Sequence, residues 1–218
     1  MIIVDVQQGT PEWLSARLGI PTASRFSNIM TPKTRKPSAG ATKYMCGLIA
    51  ERFFGAPVEE ASTDFMARGS ALEAHAVSHY ELLRGVDTVK VGFMLEDGRR
   101  YGASPDRLVG EDGMLEAKCP SAAVHIMALL GMQDDEYVSQ CQGQMLVSGR
   151  KWVDLMFYNP ALPPHIIRID RDEQYISELS FCLDSFCQRL DDNYNRLLTK
   201  HPKMAELVSG TFAQSSLS

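Results

Sequence analysis

The sequence is poor in several features that would place a protein outside the ordinary globular class. It has no long uncharged apolar run. Charged residues interrupt every hydrophobic segment well short of the roughly 20 residues of a membrane helix. Met1-Ile2-Ile3-Val4-Asp5 does not read as a secretory leader, so the expected location is the cytoplasm. The five cysteines, Cys46, Cys119, Cys141, Cys182 and Cys187, form an odd set without a C-x-x-C pair. That pattern argues against both a disulfide framework and a zinc site, and implies reduced core or near-core thiols. Positive charge is also short: 22 Lys and Arg face 27 Asp and Glu, a net charge of −5 that disfavours a protein that merely coats nucleic acid. An enzyme that holds cations with carboxylates and gathers its positive charge locally remains open. There is no internal repeat and no second domain. The 218 residues, 44% hydrophobic, suffice for one core. The expected layout of the single domain is N-terminal helices over 10–85, a sheet over 86–170, a C-terminal helix over 171–200 and a frayed tail over 201–218.

What is present centres on residues 99–119. Gly110-Glu111-Asp112-Gly113 is a strong turn signal between two short β-prone runs, and predicts a hairpin. In a strand, Glu116 and Lys118 share a face while Ala117 points away. Asp106 on the preceding strand can lie opposite them. Two carboxylates meeting at one point repel unless a cation lies between them, and hard oxygen ligands suit Mg²⁺ or Mn²⁺. An ammonium two residues along can orient a metal-bound water or steady charge on a phosphate. The plainer alternative is an exposed hairpin with a cross-face Glu-Lys ion pair of little energetic consequence.

The flanking segments read as follows. Thr10-Pro11-Glu12 opens a helix, with Thr as N-cap and Pro in the first turn; Gly19 can close it, and Arg17 stands in its last turn. By itself Arg17 is a cation complementing a helix C-terminus. A short helix follows Ile20-Pro21-Thr22-Ala23-Ser24, with Thr22 as its expected cap. Residues 31–40 form a Pro- and Gly-containing loop whose Lys33, Arg35 and Lys36 are either solvated or phosphate contacts. Helices are expected over 42–54 and 63–84. The second carries Glu73 and, at i and i+4, His75 and His79, which lack a third partner for zinc. Residues 88–95 read as a strand that joins the hairpin in three antiparallel strands. Helices over 121–131 and 134–148, strands over 151–158 and 165–170, and an amphipathic helix over 174–198 complete the pattern. On the 134–148 helix, Gln140 and Gln144 share a face and Gln142 does not.

Ser104-Pro105-Asp106 with Leu115-Glu116-Ala117-Lys118-Cys119-Pro120 resembles the PD-(D/E)XK signature of the phage lambda exonuclease and YqaJ-type viral recombinase family. Three further segments are similar: Trp13 through Arg17-Leu18-Gly19 to Thr22-Ala23-Ser24, then Arg68-Gly69-Ser70-Ala71-Leu72-Glu73, then the Gln140 segment. The resemblance implies an α/β (α+β) fold, with a mixed central β-sheet flanked by helices in a restriction-endonuclease-like core. It implies a Mg²⁺-dependent (Mn²⁺ as substitute), processive 5′-to-3′ exonuclease on double-stranded DNA ends, with two ions. The product is mononucleotides and a 3′ single strand for an annealing protein in recombination, of phage or prophage type. Asp106, Glu116 and the Ala117 carbonyl are the implied metal ligands, Lys118 acts on the attacking water, and Glu73 and Gln140 complete the site. Arg17 and Ser24 match the family's phosphate-binding pair, and Met66 matches an apolar strand-separating wedge. The implied assembly is a homotrimeric ring without membrane association. An endonuclease of the same superfamily and an inactive DNA-end binding module are the alternatives.

Overall fold

A computed structural model describes residues 1–58 and 63–208, the side chains of 63–71, 205, 207 and 208 excepted. Its centre is a five-stranded mixed sheet. The hairpin predicted around Asp112-Gly113 is there: β5 (Arg107–Val109) pairs antiparallel with β6 (Gly113–Lys118) in the register Arg107↔Leu115 to Val109↔Gly113. Gly113 is required at the start of β6, since a Cβ there would lie 2.1 Å from the Trp152 ring. β7 (Trp152–Phe157) runs parallel to β6, β8 (His165–Asp170) returns antiparallel to β7, and the two-residue β2 (Thr88–Val89) closes the other edge against β5.

Side-chain alternation along these strands gives the sheet two faces. α3 (Thr63–Arg84) covers one, where Ala76, Val77 and Tyr80 pack with Val109, Leu115 and Met156. The other face carries Met114, Val153, Leu155 and Phe157 under α5 (Asp135–Ser148) and α6 (Glu173–Lys200). α2 (Ala41–Phe54) joins this larger core through Met45, Leu48, Ile49 and Phe53. Each fully buried Leu, Met or Phe contributes about 1.5–3 kcal/mol, so the two cores clamp the sheet from both sides. The parity that sends Met114 to the α5 side sends Glu116 and Lys118 there too.

A second, small antiparallel sheet departs from the sequence reading. β1 (Ile2–Val4) pairs with β3 (Phe93–Leu95), which pairs with β4 (Gly102–Ala103). The single strand expected over 88–95 is therefore two strands in different sheets, and the expected three-stranded antiparallel arrangement is replaced. Gly92 marks the break. A Cβ on Gly92 would sit 2.2 Å from the Val6 carbonyl oxygen, so only glycine lets the N-terminal chain approach this closely. Pro105, without an N–H, separates β4 from β5.

The helices otherwise follow the sequence. Thr10 caps α1 (Pro11–Arg17) by accepting from the Trp13 N–H, and Asp134 and Asp172 cap α5 and α6 with their side chains. The short helix is a 3₁₀ segment, Ala23–Asn28, and Thr22 makes no side-chain cap to it. α4 (Ala122–Leu129) follows β6 directly. The tail expected from 201 onward begins instead as α7 (Pro202–Val208), whose Met204 packs against the main core. Residues 209–218 lie outside the described residues. Cys141 and Cys187 are buried as expected, while Cys46 is exposed on α2 rather than near the core. No helix among the described residues is long and apolar enough to cross a membrane.

Candidate active site

The β5–β6 ladder ends at Arg107↔Leu115, and one further step of that register places Asp106 level with Glu116. Asp106 Oδ2 accepts a hydrogen bond of 2.7 Å from the Ala117 N–H. This bond holds the aspartate against β6 after the ladder has stopped. Glu116 is only 4% exposed, yet both its oxygens are supplied with donors. Lys118 Nζ (2.7 Å) and Gln140 Nε2 (2.6 Å) donate to Oε1, and Gln144 Nε2 (2.6 Å) donates to Oε2. Lys118 also donates to Gln140 Oε1 at 3.0 Å and lies 5.5 Å from the centroid of the Tyr137 ring. The cross-face Glu-Lys pair of the plainer alternative thus exists, but inside a polar network under α5 rather than on an exposed surface.

The electrostatics match the geometry. Desolvation, then repulsion from Glu116 and Glu73, pushes Asp106 well above the usual carboxylate range; the Ala117 N–H and Lys118 oppose this. Burial also raises Glu73, against the pull of Arg107. For Lys118, burial disfavours the charge, but attraction and hydrogen bonding from Glu116, with Asp106 behind it, outweigh that and raise its pKa. The residue is an ammonium. Glu73 on α3 reaches Arg107 Nη1 at 3.5 Å, and that same nitrogen donates to the Asp106 carbonyl at 2.6 Å. Arg107 therefore links the α3 acid to the backbone beside Asp106.

The Arg17 segment is drawn to the same place by several tethers. Trp13 Nε1 donates to Ser104 Oγ at 3.0 Å, and the Gly102 N–H donates to the Pro21 carbonyl at 3.0 Å. α2 fixes the intervening turn: Glu51 accepts from the Gly19 N–H and Arg52 donates to the Gly19 carbonyl. The Arg17 guanidinium stacks 3.8 Å from the Trp13 ring centroid, with Thr22 Oγ1 at 3.5 Å from Nη2 and Ser24 Oγ 3.4 Å beyond Thr22. Burial lowers its pKa to about 10, against the attraction of Tyr44, Glu51 and Glu116, so it stays charged at neutral pH. Among the described residues no carboxylate pairs with it. An arginine stacked on tryptophan, its fork making only a long hydrogen bond to Thr22 among the described residues, keeps the planar donor set that suits an anionic group.

The family model of the YqaJ-like viral recombinase domain matches residues 12–151, which contain every group described so far. The chain belongs to this family. Among solved structures it is similar to the alkaline exonuclease LHK-Exo from Laribacter hongkongensis. Identity is 36% and the TM-score 0.80, over 89% of this chain and 100% of that one, and the figures are the same for LHK-Exo in complex with dAMP. It also resembles a phage related exonuclease from Haemophilus somnus at 17% identity and TM-score 0.66, over 83% and 96% of the two chains. That second likeness concerns the fold alone. No curated protein sequence matches the chain.

Within this YqaJ-like fold, Asp106, Glu116, Lys118 and Gln140 come together and Glu73 stands behind them. The loop cations are arranged differently from the sequence expectation. Lys33 pairs with Asp135 at 2.8 Å, and Arg35 pairs with Asp172 at 2.8 Å and lies 3.7 Å from Glu178, so both are matched by carboxylates of α5 and α6. Lys36 is exposed. Met66 lies on α3, but its side chain is outside the described residues. His75 is exposed and His79 lies against Tyr158, and among the described residues no three His, Cys, Asp or Glu side chains gather as a metal cluster. Gln142 turns away to bond the Asp170 carbonyl and the Asp172 N–H. Sequence reasoning missed Arg107, which carries no motif signal. Gln144 had one, its i,i+4 relation to Gln140.

Proposed function

We propose that the protein is a divalent-metal-dependent exonuclease that digests one strand of double-stranded DNA from its 5′ end. It releases mononucleotides and leaves a 3′ single strand for an annealing partner in recombination. The observation that carries this reading is the meeting of Asp106 and Glu116 beneath the Lys118 ammonium. The donor set fits a hard cation: two carboxylates and the Ala117 carbonyl would supply oxygen ligands, and the desolvation and mutual repulsion that together raise Asp106 are what a bound cation relieves. Mg²⁺ is the proposed ion, with Mn²⁺ as substitute and a second ion as the family resemblance implies; Asp106, Glu116 and the Ala117 carbonyl would hold them. When bound, such an ion supplies Lewis acidity at the phosphate and makes water a competent nucleophile.

The chain's own groups do the rest. Lys118, already charged and aimed by Glu116 and Gln140, orients the attacking water and offsets charge building on the phosphate. Gln140 contributes an amide that bonds phosphate or water without adding charge. Glu73, paired with Arg107, is a further acid beside Asp106, in the supporting role that the family resemblance implies. Arg17, with Thr22 and Ser24, receives the 5′-terminal phosphate and sets direction. The complex of the 36%-identical alkaline exonuclease with dAMP accords with a site for one terminal nucleotide. A homotrimeric ring, as the family resemblance implies, encircles the duplex and supports processivity.

The test is digestion of linear duplexes labelled separately at each 5′ and 3′ end, beside closed circular DNA. Mg²⁺-dependent early loss of the 5′ label, with the circle intact, is expected. Early loss of the 3′ label contradicts the direction, and cutting of the circle points to an endonuclease.

A further inference from the structure

Gln144 is wholly buried on α5, and its Nε2 donates to Glu116 Oε2 at 2.6 Å. Its own Oε1 is buried and has no hydrogen-bond partner among the described residues. A buried amide with one half orphaned is less stable than a satisfied one, so this position is not optimised for stability alone. The two donors already described, Lys118 and Gln140, both act on Oε1. Only the Gln144 amide holds Oε2 among the described residues, one helical turn further along the face that Gln140 occupies.

We propose that Gln144 is a positioning residue for the metal-ligating carboxylate of Glu116, an inference that rests on the metal-dependent reading above. Two amides four residues apart on a rigid helix fix both oxygens, and therefore the rotation of the carboxylate plane. An amide suits this task because it donates without bringing a second negative charge or a competing proton. Remove the Gln144 donor and the carboxylate turns about its last bond towards Lys118 and Gln140, its remaining partners. It is then misdirected for the cation shared with Asp106. Outer-shell partners of this kind typically contribute about 10–100-fold to metal affinity.

The test is Mn²⁺ binding by calorimetry or electron paramagnetic resonance on the full chain without DNA, comparing the parent with Gln144→Met, which keeps the volume and loses the donor. The expected result is a dissociation constant for Mn²⁺ weakened by about tenfold or more. High metal concentration should then restore most of the turnover, a split between metal requirement and kcat that mere packing damage does not produce. An unchanged Mn²⁺ dissociation constant in the folded variant, even with a lower melting temperature, overturns the proposal. If Gln144→Met does not fold, Gln144→Asn gives the same readout, because its amide stays in the core but stops one methylene short of Oε2. A parent that binds no Mn²⁺ overturns the metal reading itself, and this inference with it.

Discussion

Asp106 is bonded to the backbone of the strand that carries its partner: its Oδ2 accepts the Ala117 N–H at 2.7 Å. One carboxylate oxygen is thereby held by β6, and the two acids face one another across a hairpin whose turn is set by Gly110-Glu111-Asp112-Gly113. The separation of the acids is built into the backbone rather than left to flexible side chains.

Asp106→Asn and Glu116→Gln should therefore fold. In Asp106→Asn the amide oxygen can still accept the Ala117 N–H; in Glu116→Gln the oxygen keeps Lys118 and Gln140, and the new NH2 is met if the Gln144 amide turns its unpartnered oxygen towards it. Both should lose metal-dependent hydrolysis by about a thousandfold or more, near 4 kcal/mol in the barrier. Circular dichroism and a nuclease assay check this. Near-parental activity in Asp106→Asn would remove Asp106 from the metal site.

Lys118→Met should behave differently. Glu116 keeps Gln140 and Gln144 as donors, so Mn²⁺ affinity should change little, while turnover falls by about 10²–10³, the scale of losing one charge-stabilising donor. A large loss of Mn²⁺ affinity would instead make Lys118 part of the scaffold.

Arg17→Ala should weaken the preference for 5′-phosphorylated over 5′-hydroxyl duplex ends by about tenfold, since a hydrogen bond to a charged group contributes about 1.5–3 kcal/mol. Mn²⁺ binding should be retained. Binding and initial rates on duplexes that differ only in that phosphate decide it. An unchanged preference would leave Arg17 as a helix-end cation stacked on Trp13.

The far face of the sheet offers a stability prediction independent of function. Asp154 is fully buried on β7 and bonded by Arg168 at 2.5 and 3.0 Å and by the Tyr80 hydroxyl at 2.8 Å. Arg168 is partly exposed and also stacks 3.6 Å from the Trp152 ring centroid. Arg168→Ala leaves a buried carboxylate with only the more distant Arg84, at 3.6 Å, as its cation and should cost about 3 kcal/mol. Asp154→Asn leaves an arginine that water can reach and should cost less. Urea unfolding of the two variants gives the order, and the reverse order would contradict this reading of the network.

The hairpin was legible because its cause is local: a turn sequence, strand parity and an acid on each side. The helix cap at Thr10 was legible for the same reason, whereas Thr22, read as a cap, makes no side-chain bond to its helix. What escaped depended on distant pairing. β1 has three residues, and its partner lies some ninety positions away at Phe93–Leu95, so neither strand announces the other. The split of 88–95 follows from the Val6 carbonyl lying against Gly92, a contact with no local signal. Lys33 and Arg35 read as a free basic loop because Asp135 and Asp172 arrive only when α5 and α6 pack beside it. Arg107 was passed over as a strand residue, since its link to Glu73 exists only once α3 lies on the sheet.

In the proposed function, Asp106 and Glu116 together hold the divalent cation on which hydrolysis depends. Anomalous scattering from crystals of the protein grown with Mn²⁺ tests it most directly. A manganese peak in contact with both carboxylates, absent from Asp106→Asn crystals grown the same way, is the predicted result. No peak at those residues in crystals of protein that still degrades DNA with Mn²⁺ would contradict it.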